Sequence, residues 1–435
     1  MVGGSMSGSP LAGRTVFFPP MTEAGVRTIA AAFRSVGIDA RPMPPSDEET
    51  LLLGGRFSSG EECLPQKVTL GDTLKLLVRG EIAPDRMALF MPASEGPCRF
   101  GMYGPYIKAV FEELGYGDVI LLSPTCADGY GGVGEHAGEL LRTAWRAMVG
   151  GDLLHKLLLR TRPYETERGA ADLAFDESIA ILCRAVEARG DTPREKLARV
   201  AAALREGRDL FRRVPADYSS PRPLIGVVGE IFCRLNAFSN DDVVRKVEET
   251  GGECWISDVT EWVWYTNADH HRSLRRYGKS LSMEMLGAKL KWHFQRKDEH
   301  ALLHVFREDF RGYEEPHDIR EVMELARPYL KPEGVLGEML LSVGKTAYLF
   351  RKGADGILDI NPFSCMNGIV SEAVYPRVSR DCDDLPVRVL YFDGTHVDRR
   401  YELEIFMELV REYSSRKRER RVLPECFGRA AAAGA

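Results

Sequence analysis

One phrase recurs along this chain: a short apolar run, a turn rich in proline or glycine, then an amphipathic helical pattern. It first appears as Thr15 to Phe18, a turn at Pro19 and Pro20, and a helical pattern over Glu23 to Ser35. It returns as Arg86 to Met91 followed by the helix Tyr106 to Leu114, with another strand-like run at Asp118 to Leu122. A second set opens at Leu224 to Val228 and continues through a helix at Asp241 to Thr250 and a strand at Glu253 to Ser257. Helices at Leu336 to Arg351 and Ile369 to Arg380 then alternate with strands at Gly356 to Asn361 and Val387 to Phe392. A helix between successive strands carries the chain back to its starting end, so the strands pair in parallel and the helices cover the sheet. The chain therefore reads as α/β, with two parallel-sheet lobes.

Between and within the lobes the period changes. Leu153, Leu157, Leu158, Ile179, Leu182, Val186, Leu197, Val200 and Leu204 fall at helical spacing in a charged stretch that ends at Pro215, Pro221 and Pro223. The expected division is a flexible leader over 1–12, a first α/β lobe over 13–150 and a helical connector over 151–220. A second α/β lobe follows over 221–400, with a helical insertion at about 259–330, and a terminal helix and tail occupy 401–435. The insertion is rich in aromatic residues, Trp262, Trp264, Tyr265 and Trp292 among them, which read as core.

Composition narrows the function classes. With 435 residues, 44% apolar and 28% charged, the chain has the balance of a globular protein of two or three domains. Its net charge of -6 provides no general attraction for nucleic acid. The basic run Arg416, Lys417, Arg418, Arg420, Arg421 is broken by Glu419 and reads as a solvated helix face. No apolar stretch reaches the roughly 18 residues of a membrane span, and the first residues lack the pattern of a secretory signal. A cytoplasmic protein bound to neither nucleic acid nor membrane is expected.

Three motif-like patterns fail on their context. Gly129, Gly131 and Gly134 spell GxGxxG, but the downstream segment reads as helix, without the second strand and acid of a dinucleotide site. Gly344, Lys345 and Thr346 resemble the end of a phosphate-binding loop, yet Met339 stands where its first glycine belongs. His300 and His304 lie one helical turn apart without the glutamate of a zinc hydrolase.

Nine cysteines, odd in number and scattered, argue against a disulfide framework. Each is then a small hydrophobe, a reactive thiol or a metal ligand. Cys183 and Cys254 read as core, and Cys382 and Cys426 as peripheral. Cys63, Cys98 and Cys365 share another setting, a loop leading into a helix. Cys63 precedes Pro65, Cys98 stands between a strand and the helix near Tyr106, and Cys365 lies between the strand ending at Asn361 and the helix near Gly368. Such loops lie at the carboxyl edges of parallel sheets, where ligands of open α/β folds bind. A helix entrance also offers unpaired N–H groups that favour a thiolate, and thiolates select iron–sulfur clusters, zinc or copper(I).

Four blocks, SGEECLPQKVTLGDTLKLL, GPCRFGMYGPYIKAVFEELGY, IGVVGEIFCRLNAFSNDDVVRKVEETGGE and INPFSCMNGIVSEAVYPRVSR, resemble the acyl-CoA dehydratase activase-related branch of the 2-hydroxyacyl-CoA dehydratase superfamily. The resemblance implies Rossmann-like lobes around an oxygen-sensitive [4Fe-4S] cluster that is reduced by an ATP-hydrolysing activator protein. Cys63, Cys98 and Cys365 match its motif cysteines, and Glu62 and Arg99 flank them as supporting residues. A double-cubane [8Fe-9S] cluster, found in some relatives, needs further thiolates from Cys126 or Cys233, with Cys126 the first candidate. The resemblance implies a low-potential electron-transfer or reductase component, dimeric with itself or a related subunit. Its alternatives are a dehydratase subunit binding acyl-CoA at an open iron and a non-catalytic cluster carrier.

Overall fold

Strand β5 (Leu224–Gly229) is buried at all six positions, as a strand covered on both faces by helices must be. We analysed a computed structural model of the chain that describes residues 10–93, 96, 98–124, 137–333, 337–395 and 397–428. Two four-stranded sheets, entirely parallel, organise it. The first contains β1 (Thr15–Phe18), β2 (Ala40–Pro42), β3 (Met87–Phe90) and β4 (Ile120–Leu122) in the order β2-β1-β3-β4. The second contains β5, β6 (Glu253–Ile256), β7 (Gly356–Pro362) and β8 (Val387–Phe392) in the order β6-β5-β7-β8. The two orders are the same topology. In each, the chain reverses its direction of travel across the sheet between the first and third strands, and the loops leaving those strands part to form a crevice.

The helices α1 (Glu23–Ser35), α2 (Glu48–Arg56), α3 (Leu64–Val78) and α4 (Tyr103–Glu113) belong to the first lobe. Neither α2 nor β2 was expected. Asp47 and Thr50 close a reciprocal cap at the start of α2, and the helix runs through Gly54 because it crosses α3 there. A Cβ at Gly54 would lie 2.0 Å from the Lys67 carbonyl oxygen, and one at Gly71 would lie 1.9 Å from that of Thr50. Gly54 and Gly71 thus allow the backbones of α2 and α3 to cross in contact.

Three long helices follow, α5 (Ala137–Thr161), α6 (Ala170–Glu187) and α7 (Pro193–Phe211). Helix α5 begins well before the expected connector at 151, and α5 and α6 both pack on α1. Helix α5 also meets β6 of the second lobe, so one apolar core runs from Val16 and Phe18 through Leu154 to Leu224 and Leu340. The second lobe adds α8 (Ile231–Leu235), α9 (Val243–Glu249), α10 (Val259–Arg276), α11 (Met283–Leu303), α12 (Ile319–Ala326), α13 (Met339–Arg351), α14 (Met366–Asp381) and α15 (Arg400–Arg416). The inserted helices are α10 to α12, and Trp262, Trp264 and Trp292 pack on the core as expected. No described helix is long and apolar enough to cross a membrane.

Two readings of the sequence need correction. The basic run does not form a solvated helix face, because α15 ends at Arg416 and the chain then folds back. Lys417 pairs with Asp355 at 2.8 Å, and Arg421 with the fully buried Glu253 at 2.6 Å. Both cations are needed because those carboxylates are out of water. Cys382, expected at the periphery, is 4% exposed and belongs to the main core.

Candidate functional site

The crevice of the second sheet opens between β5 and β7. Gly229, with φ +116°, ends β5 and lets its backbone pass Ile360, where a Cβ would meet the Ile360 carbonyl oxygen at 2.1 Å. Glu230 follows, and its carboxylate accepts hydrogen bonds from the N–H groups of Phe232 (3.1 Å) and Cys233 (2.8 Å). Glu338 accepts from the Ile231 N–H at 3.0 Å, so two carboxyl groups occupy the start of α8. Burial raises both pKa values, and the charge of Glu230 raises Glu338 further.

On the other side of the crevice, β7 leads through Phe363 and Ser364 to Cys365, the N-cap of α14. Ser364 has φ +60°, a left-handed conformation that a non-glycine residue adopts only at a cost. Its position fixes Cys365, which is 7% exposed. From the first lobe, Cys63 is the N-cap of α3, with Pro65 in the first turn, and is also 7% exposed. Cys98 is exposed and precedes the short 3-10 turn Arg99–Met102 that leads into α4. Cys98 and Cys365 thus follow strands β3 and β7 as expected. Cys63 does not, because α2 stands between β2 and its loop.

Arg99 joins all three loops. One guanidinium nitrogen donates to the Glu61 carbonyl oxygen, two residues before Cys63. The other donates to Ser364, the residue before Cys365, reaching its carbonyl oxygen at 3.1 Å and its hydroxyl at 3.0 Å. Arg99 itself adjoins Cys98, so one side chain spans the lobes and ties the neighbours of three cysteines. Tyr103, at the start of α4, places its hydroxyl 2.7 Å from the Cys63 sulfur and is 5% exposed. Its ring meets Phe100 edge-on at 5.3 Å. Glu62 turns the other way, accepting from the Ser59 hydroxyl and the Gly60 N–H at 3.1 Å each, so it shapes the loop and does not reach a thiol.

The electrostatics run against the expectation that helix entrances lower these thiols. Desolvation raises Cys63, and Tyr103 and Arg99 offset only part of it against the charge of Glu230. Although Cys98 is exposed, the protein around its sulfur pushes the thiol up to about 11, with Glu338 and Glu230 adding to the shift. Cys365 is raised chiefly by burial and next by Glu230, while the N–H groups of Asn367 and Gly368 favour the thiolate. The metal-free thiols are therefore protonated at neutral pH. Cys233, on α8, is fully buried in the second-lobe core, and burial and next the charge of Glu230 raise its thiol well above the ordinary range.

Cys126 and the GxGxxG pattern lie outside the described residues. Among the described residues, no three His, Cys, Asp or Glu side chains converge on one point as ligands of a single metal ion do. Thiolates of a cluster bind different iron atoms and need not converge in that way. Gly344, Lys345 and Thr346 fall inside α13, where Lys345 pairs with Glu261 and Glu315, so no phosphate loop exists there.

Sequence reasoning missed Tyr103, Glu230, Glu338 and Ser364. Glu230 was discoverable, since it directly follows the buried run of β5 at a sheet crevice. Ser364 adjoins Cys365 in sequence, but its bond to Arg99, like the approach of Tyr103 to Cys63 and of Glu338 to Ile231, arises only in tertiary structure. No protein-family model matches this sequence, and no curated protein matches it.

Proposed function

We propose that the chain is an oxygen-sensitive iron–sulfur protein of the 2-hydroxyacyl-CoA dehydratase type, its cluster held by Cys63, Cys98 and Cys365. It acts as a low-potential electron-transfer or reductase component fed by an ATP-hydrolysing activator. The observation that carries this reading is Arg99, whose guanidinium binds the loops of Cys63 and Cys365 while its backbone adjoins Cys98.

A bound [4Fe-4S] cluster supplies one-electron chemistry at low potential. The remaining work falls to this chain's own residues. Tyr103 orients the Cys63 sulfur, Arg99 places positive charge beside the anionic thiolates, and Glu230 and Glu338 accept the backbone N–H groups at the start of α8 beside the crevice. An [8Fe-9S] assembly would draw on Cys126 or Cys233 as well.

The test is anaerobic reconstitution with iron and sulfide, followed by metal and sulfide counting, absorption and electron paramagnetic resonance. Alanine at Cys63, Cys98 or Cys365 should each lower the bound iron, and alanine at Cys183 should not. Colourless, iron-free wild-type protein, or equal iron in all four variants, would overturn the reading. An acyl-CoA that alters the resonance spectrum would move it to a dehydratase subunit. Bound cluster that accepts no electron from any activator would move it to a carrier.

A further inference from the structure

Beyond the carboxyl end of β6 lies a cavity of about 40 Å³, walled by Asp258, Thr260, Glu261, Trp264, Glu299 and Glu315. It has room for more than a single water molecule. Asp258 is the N-cap of α10, which also carries Thr260, Glu261 and Trp264, while Glu299 comes from α11 and Glu315 from the segment before α12. No residue of the cysteine loops takes part in the wall.

The wall has acceptors to spare and no free side-chain donor. Trp264 gives its Nε1–H to Glu299 at 2.9 Å, and Thr260 gives both its N–H, at 2.9 Å, and its hydroxyl to Asp152 on α5. Asp258, 8% exposed, lines the cavity yet accepts no hydrogen bond and forms no ion pair among the described residues. Charge is out of balance in the same direction. Asp152, Asp258, Glu261, Glu299 and Glu315 outnumber Lys156 and Lys345, which pair with Glu261 and Glu315. Arg296, whose charge reaches Glu299, is committed to Asp318 at 3.5 Å. Burial raises Asp152 and Glu299 to about 7 and Asp258 well above its ordinary value, as it does for carboxyls short of counter-charge.

The wall lacks a donor that carries positive charge. An ammonium ion is of water's size and is all donor, with no acceptor. Among the described residues no three carboxylates converge on one point as they do around a metal ion, whereas the hydrogen bonds of ammonium need acceptors on different sides. We propose that this cavity binds an ammonium ion, with Asp258 and Glu299 as its principal acceptors. Those acceptors stand on α10 and α11, so the ion clasps the inserted helices together.

Thermal unfolding of the full chain tests this, in ammonium, potassium or sodium chloride at equal ionic strength and about pH 8, above the values of Asp152 and Glu299. Ammonium should raise the midpoint saturably, by about 1–2 °C at about tenfold excess over its dissociation constant. Potassium, of similar size but without donors, should match sodium. Asp258→Asn should abolish the ammonium increment, and Glu299→Gln should weaken binding at least about tenfold. Each keeps the side chain's shape, and the two stand on different helices, so either folded variant decides. The exposed change Glu404→Gln should leave the increment intact. Equal midpoints in ammonium and sodium would overturn the proposal and leave the carboxyls neutralised by their own protons around water. An equal rise in potassium would overturn it too, as would a full increment in either buried variant.

Discussion

Arg99 and Ser364 are 265 positions apart in sequence, yet the guanidinium of one holds both the carbonyl and the hydroxyl of the other, at 3.1 and 3.0 Å. Ser364 keeps a left-handed backbone, and Arg99 donates to it from a nitrogen separate from the one bound to Glu61. A lysine offers a single point of charge and cannot reproduce that fork. Arg99→Lys and Arg99→Ala should therefore both raise amide hydrogen exchange in the segments around Glu61 and Ser364, and both should lower iron retention after reconstitution. Exchange unchanged in Arg99→Lys would show that charge alone ties the loops.

Tyr103→Phe removes the only side-chain hydroxyl bonded to the Cys63 sulfur in the described structure. That bond favours the thiolate against burial. Its loss should raise the Cys63 pKa further and slow alkylation of this thiol at fixed pH, at a stability cost of about 1 kcal/mol. In reconstituted protein the reduction potential should fall, because hydrogen bonds to ligand sulfur stabilise the more negative reduced state. Mass-resolved alkylation and a redox titration read the two effects separately.

Much of the fold was legible because burial writes itself into local pattern. The run Val387 to Phe392 reads as a strand and is one, and the alternation of strands and helices gives both sheets. What misleads is residue identity set by distant partners. Gly54 belongs to a helix because α3 passes within contact of it, and Arg421 leaves the surface because Glu253 is buried. The three cysteine loops were recognisable from their neighbours. Tyr103 and Glu338 were not, since each meets its partner across a large gap in sequence.

Loading the site should depend steeply on pH. Burial holds Cys63, Cys98 and Cys365 in the thiol form, Cys98 near 11, and each must lose its proton to bind metal. Iron uptake should therefore release protons and strengthen from about pH 7 to about pH 9. Calorimetry in buffers of different ionisation enthalpy measures the release. Uptake with no proton release would remove these thiols as ligands.

Lys345 is 1% exposed and lies 2.6 Å from Glu261 and 2.5 Å from Glu315. Lys156 also pairs with Glu315, so the four charges form one buried lattice. Lys345→Met strands Glu261 and leaves Glu315 to Lys156 alone, and should destabilise the fold by about 3–5 kcal/mol. Adding Glu261→Gln should recover part of that loss, because one stranded charge disappears. Chemical denaturation of both variants tests the coupling, and additive losses would argue against it.

His155, on α5, is depressed from its ordinary 6.5 to about 4, first by desolvation and then by the charge of Arg162. Between those two values the unfolded chain holds a proton that the folded chain refuses. Stability is therefore complete above about pH 6.5 and falls as the pH drops toward about 4, where the loss reaches about 3 kcal/mol. His155→Gln cannot titrate, so it should flatten this part of the acid limb while leaving the ring contact with Phe175 at 6.2 Å unmade. At neutral pH the variant should accordingly be the less stable protein, and its disadvantage should shrink on acidification. Urea denaturation of both proteins across this range decides the matter: parallel curves would show that His155 is protonated in the fold and that its burial does not govern the acid limb.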